Sequence, residues 1–249
     1  MRLVVINYER KESECVEGVD FYVHGYWPIH IGGAEVYITT THVCLAIVFV
    51  IIVAFAIVAN RIIAKADPTK APTGFLNVIE LLVETLDNLV VSNMGKKLAP
   101  KFRNYIGVVF IFLIVCNLSG LFGLRPPTAD YGITLPLGLI TFGMIQYQGI
   151  KWQKWGRLKG LFEPFFLFFP INVISEFATP VSLSLRLFAN ILSGTMMMAL
   201  IYGLLPKFIL WVWPAALHAY LDVFAGALQA YVFAMLTMVF IANAADIED

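Results

Sequence analysis

The residues most able to do chemistry in this sequence are charged and amide side chains set inside long apolar runs. In Pro180-Val-Ser-Leu-Ser-Leu-Arg-Leu-Phe-Ala-Asn190, Arg186 is the only basic residue between Lys159 and Lys207. Ser182, Arg186 and Asn190 stand four apart and share one helical face. An Arg at the centre of a membrane helix costs about 2.5–3.5 kcal/mol on insertion scales. Snorkelling relieves that cost near a helix end, but about 20 residues separate Arg186 from Pro206-Lys207. Such an Arg needs a reason to be there.

A second set lies further along, at His218, Asp222 and Gln229. Steps of four and seven put all three on one helical stripe. If residues 206–208 turn an antiparallel hairpin, Arg186 lies 21 positions before Lys207 and Gln229 lies 22 after it, at nearly the same level. Asp222, 15 after the turn, matches the depth of Leu192, roughly 10 Å nearer the outer surface than Arg186. Glu176, ten residues before Arg186, lies toward the cytoplasm. A central cation with one acidic group on each side, at different depths, suits ion access from both faces without a continuous pore. Three of these polar residues have structural alternatives. Glu176 and His218 also suit interfacial positions, and Asn117, in an earlier apolar run, also suits an interhelical hydrogen bond.

The elements that must hold these groups are membrane helices. Of 249 residues, 59% are apolar and 14% charged, against about a quarter charged in soluble domains. That excludes a disordered tail, a collagen-like fibre and a disulfide scaffold, and leaves a polytopic membrane protein. Apolar stretches at about 41–60, 104–124 and 133–150 approach the roughly 20 residues that cross a bilayer. Two longer ones follow, at about 161–205 and 208–245. As single helices, Pro180–Leu205 and Phe208–Ala245 measure roughly 38 and 57 Å, so the second must tilt steeply or break.

Charge placement sets the orientation. Of 17 Lys and Arg, 11 fall in three short clusters, at 61–70, 96–103 and 151–159, and such clusters stay in the cytoplasm. The acidic tail carrying Glu9, Glu12, Glu14, Glu17 and Asp20 is therefore expected outside. The segment 74–94 joins two cytoplasmic clusters, so it cannot cross. Glu80, Glu84 and Asp87 line one face, Ile79, Leu82, Leu86 and Leu89 the other, and Gly95 suits a helix stop. It reads as an amphipathic helix on the cytoplasmic interface. Arg125-Pro-Pro-Thr-Ala-Asp130 makes a tight turn between the spans at 104–124 and 133–150.

The expected fold is thus all-α: about five membrane helices plus one interfacial helix, the last two long and strongly tilted, in a single membrane domain over 1–249. Its parts are an external tail at 1–40, a span at 41–60, the interfacial helix at 74–94, a hairpin at 104–150 and a long tilted hairpin at 161–245. Met1–Glu14 has no apolar stretch of h-region length, so no signal peptide is expected. Cys15, Cys44 and Cys116 form no CxxC pair and read as packing residues. His24, His30, His42 and His218 are scattered. No metal, cofactor or nucleotide-binding motif is present, and nucleic acid is not an expected partner.

Taken together, Pro180–Asn190 and Leu221-Asp-Val-Phe-Ala-Gly-Ala-Leu-Gln-Ala-Tyr-Val-Phe233 resemble the a-subunit family of F-type ATP synthases. Asn117-Leu-Ser-Gly-Leu-Phe-Gly123, Pro127–Asp130 and the whole order of spans share the resemblance, which covers about residues 40–245. It implies a non-catalytic membrane stator that works beside a ring of c subunits, with b subunits and the rest of the synthase as partners. Arg186 matches the family's essential arginine, facing each ring carboxylate as it passes. Asn190, Asp222 and Gln229 belong by the same matching to the outer half-channel, and Ser182 and Glu176 to the cytoplasmic one. Two departures stand out. Many members carry Gly where Ala189 stands, and some carry Glu at the position of Thr195 with His at that of Asp222. Here the carboxylate sits on the facing helix at a similar depth. The permeating ion is expected to be a proton, with sodium as the other candidate.

Two rival readings fit less well. A secondary transporter that binds an anionic substrate at Arg186 should have a richer polar cavity and often repeated halves. A purely structural scaffold has no use for a mid-membrane Arg facing a stripe of Asp and Gln.

Overall fold

Long runs without a helix breaker become long helices, and the breaks fall where glycine or proline allows them. In a computed structural model, residues 25–31, 34–66, 74–122, 124–153, 156, 169–204 and 213–245 are described. The acidic tail, Cys15, His24 and the turn at Pro206-Lys207 lie outside these residues, as do most of the basic cluster at 151–159 and the start of the run at 161.

Five helices are long and apolar enough to cross a membrane, so the helical, multi-pass fold class holds. One element is additional. Strands β1 (Gly25–Ile31) and β2 (Ala34–Thr39) pair antiparallel, with Ile31 opposite Ala34 and Gly25 opposite Thr39. Their content of Val, Ile, Tyr and Trp favours strand, a signal that the reading of 1–40 as a tail passed over.

Helix α1 (Thr40–Lys65) begins where Thr39 bonds His42 through Oγ1 and Nδ1, 2.7 Å apart. It buries only Thr41, Cys44, Val48 and Ala59, and the rest of its apolar surface is left for lipid or a partner. Helix α2 (Phe75–Leu118) covers both the segment expected at the interface and the following span. Gly95 breaks it with φ 69° and ψ 166°, a backbone that residues with a Cβ rarely adopt. The two limbs fold toward one another across this elbow, and Leu86 Cδ1 is the side-chain atom nearest to where a Cβ on Gly107 would lie, at 3.9 Å. Asp87 and Arg103, one from each limb, pair at 3.5 Å.

After two short 3-10 turns, Ser119–Phe122 and Pro127–Ala129, Asp130 starts α3 (Tyr131–Gln153) by accepting a bond from the Gly132 N–H at 3.0 Å. Helix α4 (Phe169–Leu204) carries Arg186, and Pro180 lies in its interior. α3 and α4 approach so closely that a Cβ on Gly138 would lie 2.8 Å from the Pro180 carbonyl oxygen. The last long run is helical from 213 to 245, comprising α5 (Trp213–His218), a π-helical segment (Ala219–Ala225) and α6 (Gly226–Ala245). Pro214 falls in its first described turn.

Two apolar clusters hold α6 to the other helices. One joins Val90, Met94 and Ile106 of α2 to Met238 and Ile241 of α6. The other joins Val109 and Leu113 of α2, Leu183 and Leu187 of α4, and Ala230 and Phe233 of α6. Cys44 and Cys116 are buried and free, as packing residues should be.

Candidate functional site

The polar groups picked out in α4 and the last run fall at three levels, each set by how those segments align. At one end, Tyr202 of α4 reaches His218 of α5, its hydroxyl 3.0 Å from Nε2. In the middle, Leu183 and Leu187 share a cluster with Ala230 and Phe233. At the other end, Glu176 and Phe240 line the same cavity. These levels follow one antiparallel alignment, and they put Arg186 level with Gln229, as counting from the turn suggests.

At the first level, His218 Nδ1 and Asp222 Oδ2 lie 2.6 Å apart, with side chains 30% and 16% exposed. Asp222 sits in the π segment, a distortion often found at functional sites. Its carboxyl lies against Gly120, where a Cβ would come 3.5 Å from Oδ2. The segment's far end is braced by Asn117, whose Nδ2 donates to the Gly226 carbonyl at 2.8 Å while its Oδ1 accepts from the Thr128 hydroxyl at 2.9 Å. Asn117 is therefore an interhelical clamp.

At the middle level, Arg186 and Ser182 are exposed and Asn190 is half-buried. Arg186 makes no hydrogen bond or ion pair among the described residues. Ser182 and Asn190 share its face, Val181 and Leu185 beside it are 42% and 45% exposed, and among the described residues the Arg has no counter-charge. Gln229 is buried among the helices at 6% exposure, with Nε2 unpartnered among the described residues. His218 and Asp222 stay together, one turn apart, and Gln229 follows beyond a π segment whose wider turns a count of 3.6 residues per turn does not include.

At the third level, Gln146 of α3 donates from Nε2 to Glu176 Oε2 at 3.0 Å. Both line a cavity of about 200 Å³ together with Thr179 and Asn243. Pro180 lacks the N–H that the Glu176 carbonyl would accept in a regular helix, which adds to the polarity there. Phe142 and Phe240 form apolar walls. Such a chamber has room for a few waters and the polar groups to hold them.

Sequence reasoning missed Tyr202, Gln146 and Asn243. Gln146 had a usable signal, as an amide inside an apolar span, and Asn243 had the same one more weakly. Tyr202 had none, because Tyr is ordinary near membrane helix ends. Among the described residues no group of three or more His, Cys, Asp or Glu could hold a metal.

A family model described as ATP synthase A chain matches residues 42–242. The chain is 36% identical over 180 residues to the ATP synthase subunit a of Acidothermus cellulolyticus, covering 70% of this chain and 66% of that one. It is 37% identical over 185 residues to the ATP synthase subunit a, sodium ion specific, of Propionigenium modestum, covering 68% and 61%. The chain thus spans just under two thirds of these two relatives. An alignment of 256 residues with the chloroplastic ATP synthase subunit a of Stigeoclonium helveticum is 33% identical and covers 98% and 96%.

Proposed function

The chain belongs to the ATP synthase A chain family, and from that premise we propose that it is the stator beside which a ring of c subunits turns. It is one subunit of a larger complex and an integral, multi-pass membrane protein. In this reading two offset half-channels carry protons to and from carboxylates on the ring, coupling ion flow to rotation and to ATP synthesis elsewhere. The N-terminus lies outside, the first limb of α2 lies at the cytoplasmic interface, and α4 to α6 tilt along the ring. The b subunits hold the stator in place.

The observation that carries this reading is Arg186, exposed within a membrane-length apolar helix without an ion pair among the described residues. A cation facing lipid there is costly, and a carboxylate on a neighbouring subunit removes the cost. Within about 4–6 Å it would favour the ionised form of each passing carboxylate and block direct ion passage between the paths. Asp222, His218, Asn190 and Gln229 serve the outer path, and Glu176 and Ser182 the cytoplasmic one. The 2.6 Å His218–Asp222 contact suits a proton. Sodium is the other candidate, because the Propionigenium modestum relative is named sodium ion specific.

Arg186→Ala tests the reading in the reconstituted complex. An opposite charge shifts a carboxylate by about 1–3 pKa units, so its loss should cut ATP-driven proton pumping about tenfold or more. Normal coupled pumping by an assembled Arg186→Ala complex would refute it.

A further inference from the structure

We infer that Tyr202 is a positioning residue of the outer ion path: its hydroxyl holds His218 in the tautomer that presents an Nδ1–H to Asp222. The inference rests on the proposed role of Asp222 as the outer relay and adds a residue and an order to it. Three contacts on three segments carry it. Tyr202 Oη lies 3.0 Å from His218 Nε2, His218 Nδ1 lies 2.6 Å from Asp222 Oδ2, and the rings of Tyr202 and His218 sit 6.1 Å apart. Exposure falls in the same order, from 45% at Tyr202 to side chains 30% exposed at His218 and 16% at Asp222. The file runs from the surface inward.

The protonation pattern follows from donor and acceptor rules. A neutral imidazole has one N–H and one lone pair, and the bond made by one nitrogen sets the state of the other. Tyr202 donating O–H to Nε2 requires a lone pair there. The ring proton then lies on Nδ1 and is donated to Asp222 Oδ2. Asp222 is held by one oxygen, and its other oxygen, unbonded among the described residues, is left to take and give the moving proton. No bond in the file is made or broken.

Without the hydroxyl, nothing in the file donates to Nε2. A proton arriving from outside can then stop on that nitrogen instead of reaching Asp222, so a higher outer proton concentration is needed to load the carboxylate. Among the described residues Tyr202 is the titratable group that faces His218 from the preceding helix. Gly120, from the other side, carries no charge. Among the described residues no further charged side chain bonds to His218 or Asp222.

The experiment uses the whole complex in proteoliposomes, with ATP synthesis driven by an acid bath and the outer pH varied at constant inner pH. Tyr202→Phe removes one oxygen from a half-exposed ring and leaves the ring contact in place. The expected result is a fall of about one unit or more in the outer pH of half-maximal rate, with the rate recovered at lower pH. The shift should vanish in the Tyr202→Phe, His218→Gln double variant relative to His218→Gln alone, because it acts through the imidazole. An unchanged midpoint overturns the inference, whether or not the maximal rate falls, since a merely structural link would lower the rate alone. Coupled synthesis that survives Arg186→Ala would instead overturn the underlying reading, independently of Tyr202.

Discussion

Replacing Gly226 by alanine should disturb the relay from one turn away. A Cβ at 226 would lie 2.9 Å from Asn117 Cβ and 3.6 Å from its Nδ2, so α6 and α2 must separate by several tenths of an ångström. The atom in the way is a Cβ close to the backbone, which no rotamer change can move aside. Overpacking of this kind costs about 1–3 kcal/mol. It also strains the bonds from Asn117 to the Gly226 carbonyl and from Thr128 to Asn117, each worth about 0.5–1.5 kcal/mol. A loss of at least about 2 kcal/mol should lower the heat-release temperature of this subunit by about 4 °C or more. ATP-driven pumping should fall with it, because the π segment that carries Asp222 ends at Gly226. Gly143→Ala is the matched control: nothing lies within 4 Å of its added Cβ, and alanine in a helix interior gains about 0.5–1 kcal/mol. A Gly226→Ala complex that assembles, resists heat and pumps like Gly143→Ala would refute the close packing of Gly226 on Asn117.

Two further substitutions address the ends of the ion path. Asp222→Asn keeps the size of the side chain and removes the ionisable oxygen, so ATP-driven pumping should fall at least about tenfold with assembly intact. If the moving ion is the proton, a protonophore should collapse the residual gradient with or without sodium, whereas protonophore-resistant sodium uptake would contradict proton coupling. Gln146→Leu removes the bond to Glu176 and makes the cytoplasmic chamber apolar. A hydrogen bond to a charged group is worth about 1.5–3 kcal/mol, so proton exchange on the cytoplasmic side should slow by about tenfold. Unchanged dependence of ATP synthesis on inner pH would remove Gln146 and its chamber from the path.

What the sequence determined by itself is the spacing of the protein along its helices. Hydropathy and charge need only one dimension, so five apolar helices, the break at Gly95 and the isolation of Arg186 were legible. The common level of Arg186 and Gln229 was legible too, because rise per residue varies little along a helix. What only the tertiary structure decided is the direction in which each side chain points. Asp222 sits in a π segment, and such a widened turn leaves no mark on hydropathy. Gln146 meets Glu176 where Gly138 lets α3 close on Pro180 of α4, and Asn117 meets the π segment's end where Gly226 lets α6 close on α2. Those approaches depend on a missing Cβ on one helix and the shape of another, a pairing that no count along one chain contains.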